Sequence, residues 1–433
     1  MPAWSVVFLA LFVTIAIGVP IPMAIGLATL GGLMAIDIAA VSLAQSAFNA
    51  LNNVPIMAVA LFVFAGALME RGGLADRLVR FAQALVGGFA GSLGIVAVLA
   101  CMFFAAISGS GPATAAAVGA VTLPAMARER YPAAFGGAII ASGGALGSLI
   151  PPSNLMVFYG IVASVSIPKL FLAGVVPGVL AGALMMLAVY LLARRRGYGA
   201  SVVAAGDQAR RVSAAAIARA AWDAKWALAA PLVILGGIYG GAFTPTEAAS
   251  VAVFYAFFVG AAIYRELDWP RFVESLRVTS LICGGIVIML GPAIAFGQLA
   301  ALMQIPEEIG KLMGPVANDP IAILAIVVLV FVVTGTFMES IAQIILFTPL
   351  FLPLASGAGI DPITLGVIIV LTCEIGFLTP PVGANLFVAM RIAGVSLAAV
   401  SRSIVPFLLV YLLIVVLVAW LPGLALWLPG FMH

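Results

Sequence analysis

The sequence is poor in charge, since only 8% of its 433 residues are Asp, Glu, Lys or Arg. About a quarter of a soluble domain is charged, so the composition excludes an ordinary soluble protein. Histidine is represented by His433 alone, which leaves none for a histidine metal site or a proton relay. Cys101, Cys283 and Cys373 each lie in an apolar run without metal-ligand spacing. We expect them to be small core residues.

Several functional motifs are also missing. The chain has no Walker motif, no dinucleotide fingerprint and no basic patch interleaved with aromatics, which excludes ATP hydrolysis by this chain and argues against nucleic-acid binding. No nucleophile and base are paired within the apolar runs, which disfavours a membrane-embedded enzyme. No basic residue precedes the first apolar run, so we expect a retained first helix rather than a cleaved signal peptide.

Apolar residues, glycine and proline are abundant instead. The chain is 64% hydrophobic with 46 Gly and 26 Pro, and its mean hydropathy is +1.27. Such a composition is typical of an all-α polytopic membrane protein, and the glycine and proline favour closely packed and broken helices.

Two double prolines interrupt apolar runs about half a chain apart, at Pro151-Pro152 and at Pro380-Pro381. Proline lacks an N–H and crowds the preceding helical turn, so carbonyl and amide groups lose their intrahelical partners. In hydrocarbon each unpaired group costs several kcal/mol unless protein, water or an ion satisfies it. We therefore predict two broken transmembrane helices, over about 133–165 and 363–392, whose freed groups hold a ligand.

Two further apolar stretches, over about 93–127 and 321–352, break at residues 108–114 and 334–340. Each arm of the first stretch is about 15 residues long and covers roughly 20 Å, whereas the hydrocarbon core is ~30 Å thick. These lengths predict two re-entrant helical hairpins with polar tips.

The order of breaks in residues 1–196 recurs in residues 227–433, with an amphipathic, cytoplasmic linker predicted over 197–226. With this topology, all 19 basic residues except Lys169, Lys311 and Arg391 fall on one face. An excess of Lys and Arg marks the cytoplasmic face. The two hairpins then enter from opposite sides, which predicts inverted-topology repeats with both termini periplasmic.

Inverted repeats with broken helices match the plan of secondary transporters, in which ions and substrate lie at the repeat interface. Unwound carbonyls and hydroxyls replace the water shell of Na⁺, and helix N-termini favour an anion. We predict two sodium sites with the substrate between them. The first site comprises Ser108, Ser110, Gly147, Ile150 and Ser153, and the second comprises Thr334, Gly335, Gly376, Thr379 and Val382. The predicted substrate residues are Ser110, Asn154, Thr336, Asn385 and Arg391.

Glu339 and Glu374 are the carboxylates within apolar runs of this predicted core, and such residues are functional candidates by default. One hypothesis is that Glu339 lines the second cation site or carries a proton. Another is that Glu374 pairs with Arg391 or extends to the membrane interface. A purely structural ion pair is the third alternative.

Five motifs in series carry a family resemblance. They are residues 107–114 (ISGSGPAT), 150–153 (IPPS), 243–249 (FTPTEAA), 335–339 (GTFME) and 378–383 (LTPPVG). Together they resemble the large membrane subunit of a TRAP (tripartite ATP-independent periplasmic) transporter of the DctM or SiaM type, in the ion transporter superfamily.

The resemblance implies an elevator-type transporter of the bacterial inner membrane. It implies Na⁺-driven uptake of an organic acid, commonly a C4-dicarboxylate or sialic acid, delivered by a periplasmic substrate-binding protein. It also implies a separate small four-helix membrane subunit. The family's sodium positions correspond to the serines of the first tip and to Gly147, Ile150, Thr334, Gly335, Gly376, Thr379 and Val382. Glu374 departs from the family pattern, which has a neutral residue there.

Two other transport functions fit the residues. One is a stand-alone ion-coupled carboxylate symporter or antiporter without obligate partners, and the other is a passive channel. Uptake that depends on an added periplasmic protein and on a sodium gradient distinguishes the predicted function from both.

Overall fold

The structure, a computed structural model, describes residues 3–52, 54–86, 88–89, 91–198 and 213–432. It is 83% helical and has no strand in these ranges, which confirms the all-α class. Residues 199–212 of the predicted linker, with Arg210 and Arg211, lie outside the described residues, as does His433.

The helices are numbered here in chain order. They are α1 (Ala3–Ala16), α2 (Ile21–Ala35), α3 (Val41–Leu51), α4 (Val54–Arg71), α5 (Leu74–Val86), α6 (Ser92–Ser108), α7 (Gly111–Arg128), α8 (Ala133–Ala145), α9 (Asn154–Val162), α10 (Ile167–Arg196), α11 (Ala214–Asp223), α12 (Lys225–Tyr239), α13 (Pro245–Phe258), α14 (Trp269–Leu302), α15 (Ile305–Met313), α16 (Pro320–Gly335), α17 (Ser340–Gly357), α18 (Pro362–Phe377), α19 (Ala384–Ala393), α20 (Leu397–Trp420) and α21 (Gly423–Leu426). A 3₁₀ turn, Leu146–Ser148, extends α8, and a π turn, Val259–Ile263, extends α13.

Five of the described helices are long and apolar enough to cross a membrane, namely α10, α13 with its extension, α14, α17 and α20. Two bent pairs, α4 with α5 and α11 with α12, raise the number to seven if each pair counts as one span. By contrast, α6 has 17 residues and α16 has 16, fewer than the about 20 that a full crossing needs. The partner arms α7 and α17 have 18 residues each, so the re-entrant course of the two hairpins stays a prediction.

The first hairpin turns between α6 and α7. Gly109 ends α6 with a φ of 63°, a left-handed conformation that glycine adopts without steric cost. Ser110 is extended, and Pro112 then occupies the first turn of α7, where a missing N–H costs nothing.

The second hairpin turns between α16 and α17. Here Glu339 begins α17, because its carboxylate accepts hydrogen bonds from the amides of Ile341 at 2.8 Å and Ala342 at 3.2 Å. A carboxylate at this position satisfies two otherwise unpaired amides.

Both double prolines break a helix, as predicted. The first separates α8 and its 3₁₀ turn from α9, and the second separates α18 from α19. Ser153 begins α9, since its hydroxyl accepts a hydrogen bond from the Met156 amide at 3.3 Å. Pro151-Pro152 and Pro380-Pro381 are both joined by cis peptide bonds.

The hairpins and broken helices form one packed unit. Each hairpin touches both broken helices: α7 packs on α8 and on α19, while α17 packs on α18 and on α9. A second group of helices surrounds α14, which packs on α2, α3 and α4 and also touches α17. The hairpin tips and helix breaks are thereby brought to one place beside α14.

Candidate substrate and cation sites

The first hairpin tip is hydrogen-bonded to the first helix break. The backbone N–H of Asn154 donates to the carbonyl oxygen of Gly109 at 3.1 Å. In return the Gly111 amide donates to the Ser148 hydroxyl at 3.1 Å. Glycine and proline leave backbone amide and carbonyl groups here without helical partners. These groups find hydrogen-bond partners across the contact, as burial requires.

Serine and glycine residues form the interior of this first contact. Ser108 and Thr114 lie with their hydroxyl oxygens 2.6 Å apart, and both side chains are buried. A Cβ atom on Gly147 would stand only 2.9 Å from the carbonyl carbon of Ser110. Glycine is thus required at position 147, and the structure brings Ser108, Ser110 and Gly147 together as predicted.

The second tip meets the second break mainly through its backbone. The Val382 amide donates to the Thr336 carbonyl at 3.0 Å. A Cβ atom on Gly376 would lie 2.7 Å from the Cα atom of Gly335, so the two helix ends touch at their glycines. Four of the residues predicted for the second half therefore lie at one contact.

Two threonines complete this second contact. The Thr379 hydroxyl donates to the carbonyl of Ile375 at 2.7 Å. The Thr334 hydroxyl lies within hydrogen-bond distance of two acceptors, the Val330 carbonyl at 2.7 Å and Gln343 Oε1 at 3.0 Å. A hydroxyl hydrogen directed at its own helix leaves oxygen lone pairs for another group.

The atoms at both contacts suit an alkali cation. They are hydroxyl and carbonyl oxygens, which hard cations prefer over sulfur or imidazole ligands. Within the described ranges, no group of three or more His, Cys, Asp or Glu side chains is placed to hold a metal ion. The donor set therefore fits Na⁺ better than a transition metal.

Ser153, predicted as a ligand of the first cation site, also caps a helix. Its hydroxyl donates to the Ser148 carbonyl while accepting from the Met156 amide. This hydroxyl has one hydrogen and two lone pairs, so its hydrogen and one lone pair are engaged within the break. In this structure Ser153 is a helix cap.

The two predicted asparagines flank the first tip. Asn154 is the first residue of α9, and its Oδ1 atom is buried without a hydrogen-bond partner. Asn385 lies in the first turn of α19, where a Cβ atom on Gly111 would be 3.0 Å from its Oδ1 atom. The tip therefore connects the two broken helices.

Arg391, the fifth predicted substrate residue, does not lie beside the two asparagines. It is exposed in the last turn of α19, six residues after Asn385 and hence about 9 Å along the helix. The hypothesis that Glu374 pairs with Arg391 or extends to the interface is wrong. The Glu374 side chain is fully buried and accepts a hydrogen bond from Asn385 Nδ2 at 2.9 Å.

A cavity of about 470 Å³ lies beside the first tip. The N-terminal turns of four helices line it, with Pro112 on α7, Asn154 on α9, Ile341 on α17 and Ala384 on α19. A helix N-terminus carries partial positive charge, so four of them around one cavity favour an anion. At α17 this position is already taken by the Glu339 carboxylate, which also lines the cavity and accepts from the Ile341 and Ala342 amides. The remaining walls include Ile282 and Ile286 of α14 and both Glu70 and Arg71 at the end of α4.

Arg71 is the functional candidate that the sequence did not reveal. The sequence places it only among the basic residues of the predicted cytoplasmic face, whereas in the structure it ends α4 on the cavity wall. Its Nη1 atom makes only a 3.4 Å hydrogen bond to the Ala67 carbonyl and lies 3.9 Å from the Glu70 carboxylate. These long contacts leave the guanidinium able to bind a carboxylate. Only the packing of α4 beside the first tip indicates this role.

Comparison with known proteins gives the family. A sequence model of the tripartite ATP-independent periplasmic transporter DctM component matches residues 8–424. The chain belongs to this family. It is therefore a TRAP transporter large permease component, a multi-pass membrane protein and not an enzyme.

Individual relatives agree with this assignment. The C4-dicarboxylate large permease DctM of Pseudomonas aeruginosa is 41% identical over 395 residues, covering 90% of each chain. The sialic acid large permease SiaM of Vibrio cholerae is 35% identical over 386 residues, covering 89% of this chain and 88% of that one. The isethionate permease DctMQ of Oleidesulfovibrio alaskensis is 38% identical over 424 residues. That alignment covers 98% of this chain and 65% of the DctMQ protein.

A solved structure shares the fold of this TRAP permease. Neisseria gonorrhoeae MtrF aligns with a TM-score of 0.59 over 90% of this chain and 84% of that chain. The sequences are only 14% identical, so the likeness concerns the fold alone.

Proposed function

We propose that this permease imports an organic acid in symport with Na⁺, receives it from a periplasmic substrate-binding protein, and moves it by an elevator mechanism. The observation that carries the anionic substrate is the convergence of four helix N-termini on one cavity. Relatives named for C4-dicarboxylate, sialic acid and 2,3-diketo-L-gulonate transport support a carboxylate.

The same cavity offers a counter-ion. The guanidinium of Arg71 faces it with weak internal contacts, and a carboxylate binds such a group through two parallel hydrogen bonds. Arg71 belongs to the face that the charge distribution predicts to be cytoplasmic. We infer that the cavity in this structure opens toward the cytoplasm, so Arg71 contacts the acid as it leaves.

Coupling to sodium is proposed for the two contacts between tips and breaks. The first ion is bound by oxygen atoms of Ser108, Ser110, Gly147 and Ile150. The second is bound by Thr334, Gly335, Gly376, Thr379 and Val382. Bound Na⁺ joins each tip to its break, so the ions stabilise the arrangement in which the helix N-termini meet at the substrate.

The proposed moving part is the unit of hairpins and broken helices. It packs on the group around α14 through α17, and the apolar side chains of Ile282 and Ile286 on α14 line the cavity. The inverted repeats, the inner-membrane location and the periplasmic termini belong to this proposal. So does a separate small four-helix membrane subunit, which stabilises the group around α14.

Reconstituted uptake tests the proposal. The permease and its small subunit are placed in proteoliposomes, and labelled C4-dicarboxylates, sialic acid and isethionate are offered with their binding proteins, with and without an inward sodium gradient. We expect accumulation of one acid that requires both its binding protein and the gradient. Uptake without the binding protein indicates a stand-alone symporter, and equilibration without a gradient indicates a channel; either result overturns the proposal.

Arg71→Gln sharpens the same assay. We expect it to slow uptake at least about tenfold, because a charged hydrogen bond contributes about 1.5–3 kcal/mol. The control is Arg128→Gln, which removes a charge from an exposed position at the far end of α7. Equal rates in the two variants contradict a role for Arg71 in release.

A further inference from the structure

A second cavity, of about 430 Å³, lies between α3, α9, α14 and α17. It is close in size to the 470 Å³ cavity beside the first tip, which is called the first cavity below. The helices α9, α14 and α17 line both cavities. Both therefore lie on one boundary, where the unit of hairpins and broken helices meets the group around α14.

The two cavities are the same distance apart on each shared helix. Each helix contributes a wall residue to the first cavity and another, eight positions later, to the second. The pairs are Asn154 and Val162 on α9, Ile286 and Ile294 on α14, and Ile341 and Pro349 on α17. Eight helical residues rise about 12 Å. A slide of about 12 Å along α14 therefore carries the N-terminal turns of α9 and α17 from the first cavity to the second.

Gln298 on α14 supplies hydrogen-bond donors to the second cavity. It is an exposed residue of the cavity wall, and its Oε1 atom accepts a hydrogen bond from the Ser46 hydroxyl of α3 at 2.5 Å. Its Nε2 atom makes no hydrogen bond to any of the described residues, so two N–H groups are left to bind a ligand. Asn49, on the same side of α3 as Ser46, adds a second amide to the wall. The second cavity can therefore donate hydrogen bonds to a ligand that carries oxygen atoms.

The two cavities differ in charge. Glu70, Arg71 and Glu339 line the first cavity, whereas none of the described residues that line the second is Asp, Glu, Lys or Arg. A guanidinium binds a carboxylate through two parallel charged hydrogen bonds, and a neutral amide lacks that charge. The second cavity therefore holds an acid less tightly than Arg71 does.

Gln298 also has the place in the second half of the chain that Arg71 has in the first. The double prolines of the two halves begin 229 positions apart, at Pro151 and Pro380, and Gln298 follows Arg71 by 227 positions. Arg71 ends α4, and Gln298 lies near the end of α14. The predicted repeat therefore pairs these two donor residues, with one for each cavity.

We propose that the second cavity receives the carboxylate in the outward-facing permease and that Gln298 is a substrate-binding residue there. The inference rests on the proposed function, because it adds an entry position to the proposed elevator motion. After the slide, Asn154 lies level with Gln298, and the two free N–H groups of Gln298 donate to oxygen atoms of the acid. Ser46 holds the Gln298 amide in the orientation that leaves those donors free. Arg71 binds the acid at the other end of the slide.

Gln298→Glu distinguishes a binding role from a structural one. Glutamate keeps the side-chain shape and still accepts the hydrogen bond from Ser46, but it lacks both N–H donors and repels an acid. We expect uptake from the loaded binding protein to fall at least about tenfold, with an unchanged Tm. Gln45→Glu is the matched control, since it changes an exposed amide of α3 that does not line the cavity. Wild-type uptake in Gln298→Glu overturns the proposal.

Ser46→Ala is the converse variant, because it removes the hydrogen bond to Gln298 and leaves both N–H donors in place. We expect uptake to fall about fivefold at most. A loss as large as that in Gln298→Glu means that uptake requires the bond between the two side chains rather than the donors. That result overturns the substrate-binding role of Gln298.

A cross-link tests the slide without any uptake. Asn154→Cys and Gln298→Cys are combined in a Cys283→Ala background, since Cys101 and Cys373 are buried. A disulfide requires Cα atoms within about 7 Å, whereas Asn154 here begins α9 at the first cavity. We expect mild oxidation to join the pair in the purified permease and to leave each single-cysteine variant unlinked. Ile341→Cys replaces Asn154→Cys if that variant does not fold.

The cross-link and the uptake assay fail in different ways. If neither cysteine pair forms a disulfide, the inference is overturned even where wild-type uptake follows the sodium gradient. If a pair does form a disulfide and the wild-type permease shows no sodium-driven uptake, the meeting of the two helices is supported and only the proposed symport is contradicted.

Discussion

The two contacts between hairpin tips and helix breaks follow one sequence plan but differ in what holds them together. At the first contact, side-chain hydroxyls carry the structure, and Ser108, Thr114 and Ser148 are all buried. At the second, backbone touches backbone at Gly335 and Gly376, and the adjoining Val382 is 50% exposed. The first contact is therefore sensitive to the loss of hydroxyl oxygens as well as to added volume at Gly147, and the second chiefly to added volume.

The largest effect is expected from volume added at the second contact. Gly376→Ala places a Cβ atom 2.7 Å from the Cα atom of Gly335, and backbone cannot yield as a flexible side chain does. Overpacking costs about 1–3 kcal/mol, and here it separates the tip from the break. We expect uptake to fall at least about tenfold and the sodium-dependent rise in Tm to be lost.

Gly357→Ala is the matched control, because a Cβ atom there meets nothing within 4 Å. It lies in the second hairpin, at the end of α17 far from the tip, and should behave as wild type. A normal sodium response in Gly376→Ala would show that the glycine contact does not form the second site.

The helix breaks and tips were predictable because their causes are local. Consecutive prolines remove amides and Gly109 admits a left-handed turn, whatever surrounds them. The position of Arg71 and the hydrogen bond from Asn385 to Glu374 were not predictable in this way. They depend on helices far apart in the chain packing together, α4 beside the first tip and α7 against α19.

A smaller effect is expected from removing one hydroxyl at each contact. Ser110→Ala and Thr379→Ala each delete an oxygen from a proposed sodium site without adding volume. Loss of about 1 kcal/mol raises the sodium concentration for half-maximal uptake about fivefold. Tm without sodium should change little, because the Thr379 hydroxyl donates only to its own helix.

Thr122→Ala is the control for Thr379→Ala. Its hydroxyl makes the same type of bond, to the Val118 carbonyl at 2.7 Å, in the interior of α7. If all three variants keep the wild-type sodium dependence, the proposed ligands are wrong at both contacts.

The smallest effect distinguishes a ligand from a helix cap at Ser153. Its hydroxyl is engaged by the Ser148 carbonyl and the Met156 amide, so Ser153→Ala should cost about 0.5–2 kcal/mol of stability, as other helix caps do. Thermal unfolding with and without sodium should show a lower Tm but the same sodium-dependent rise. Ser166→Ala, which removes the cap of α10 outside the site, is the reference for cap loss alone. If the sodium-dependent rise in Tm is reduced in Ser153→Ala but not in Ser166→Ala, Ser153 is a ligand of the first ion site. That contact then depends on hydroxyls from both the hairpin tip and the helix break.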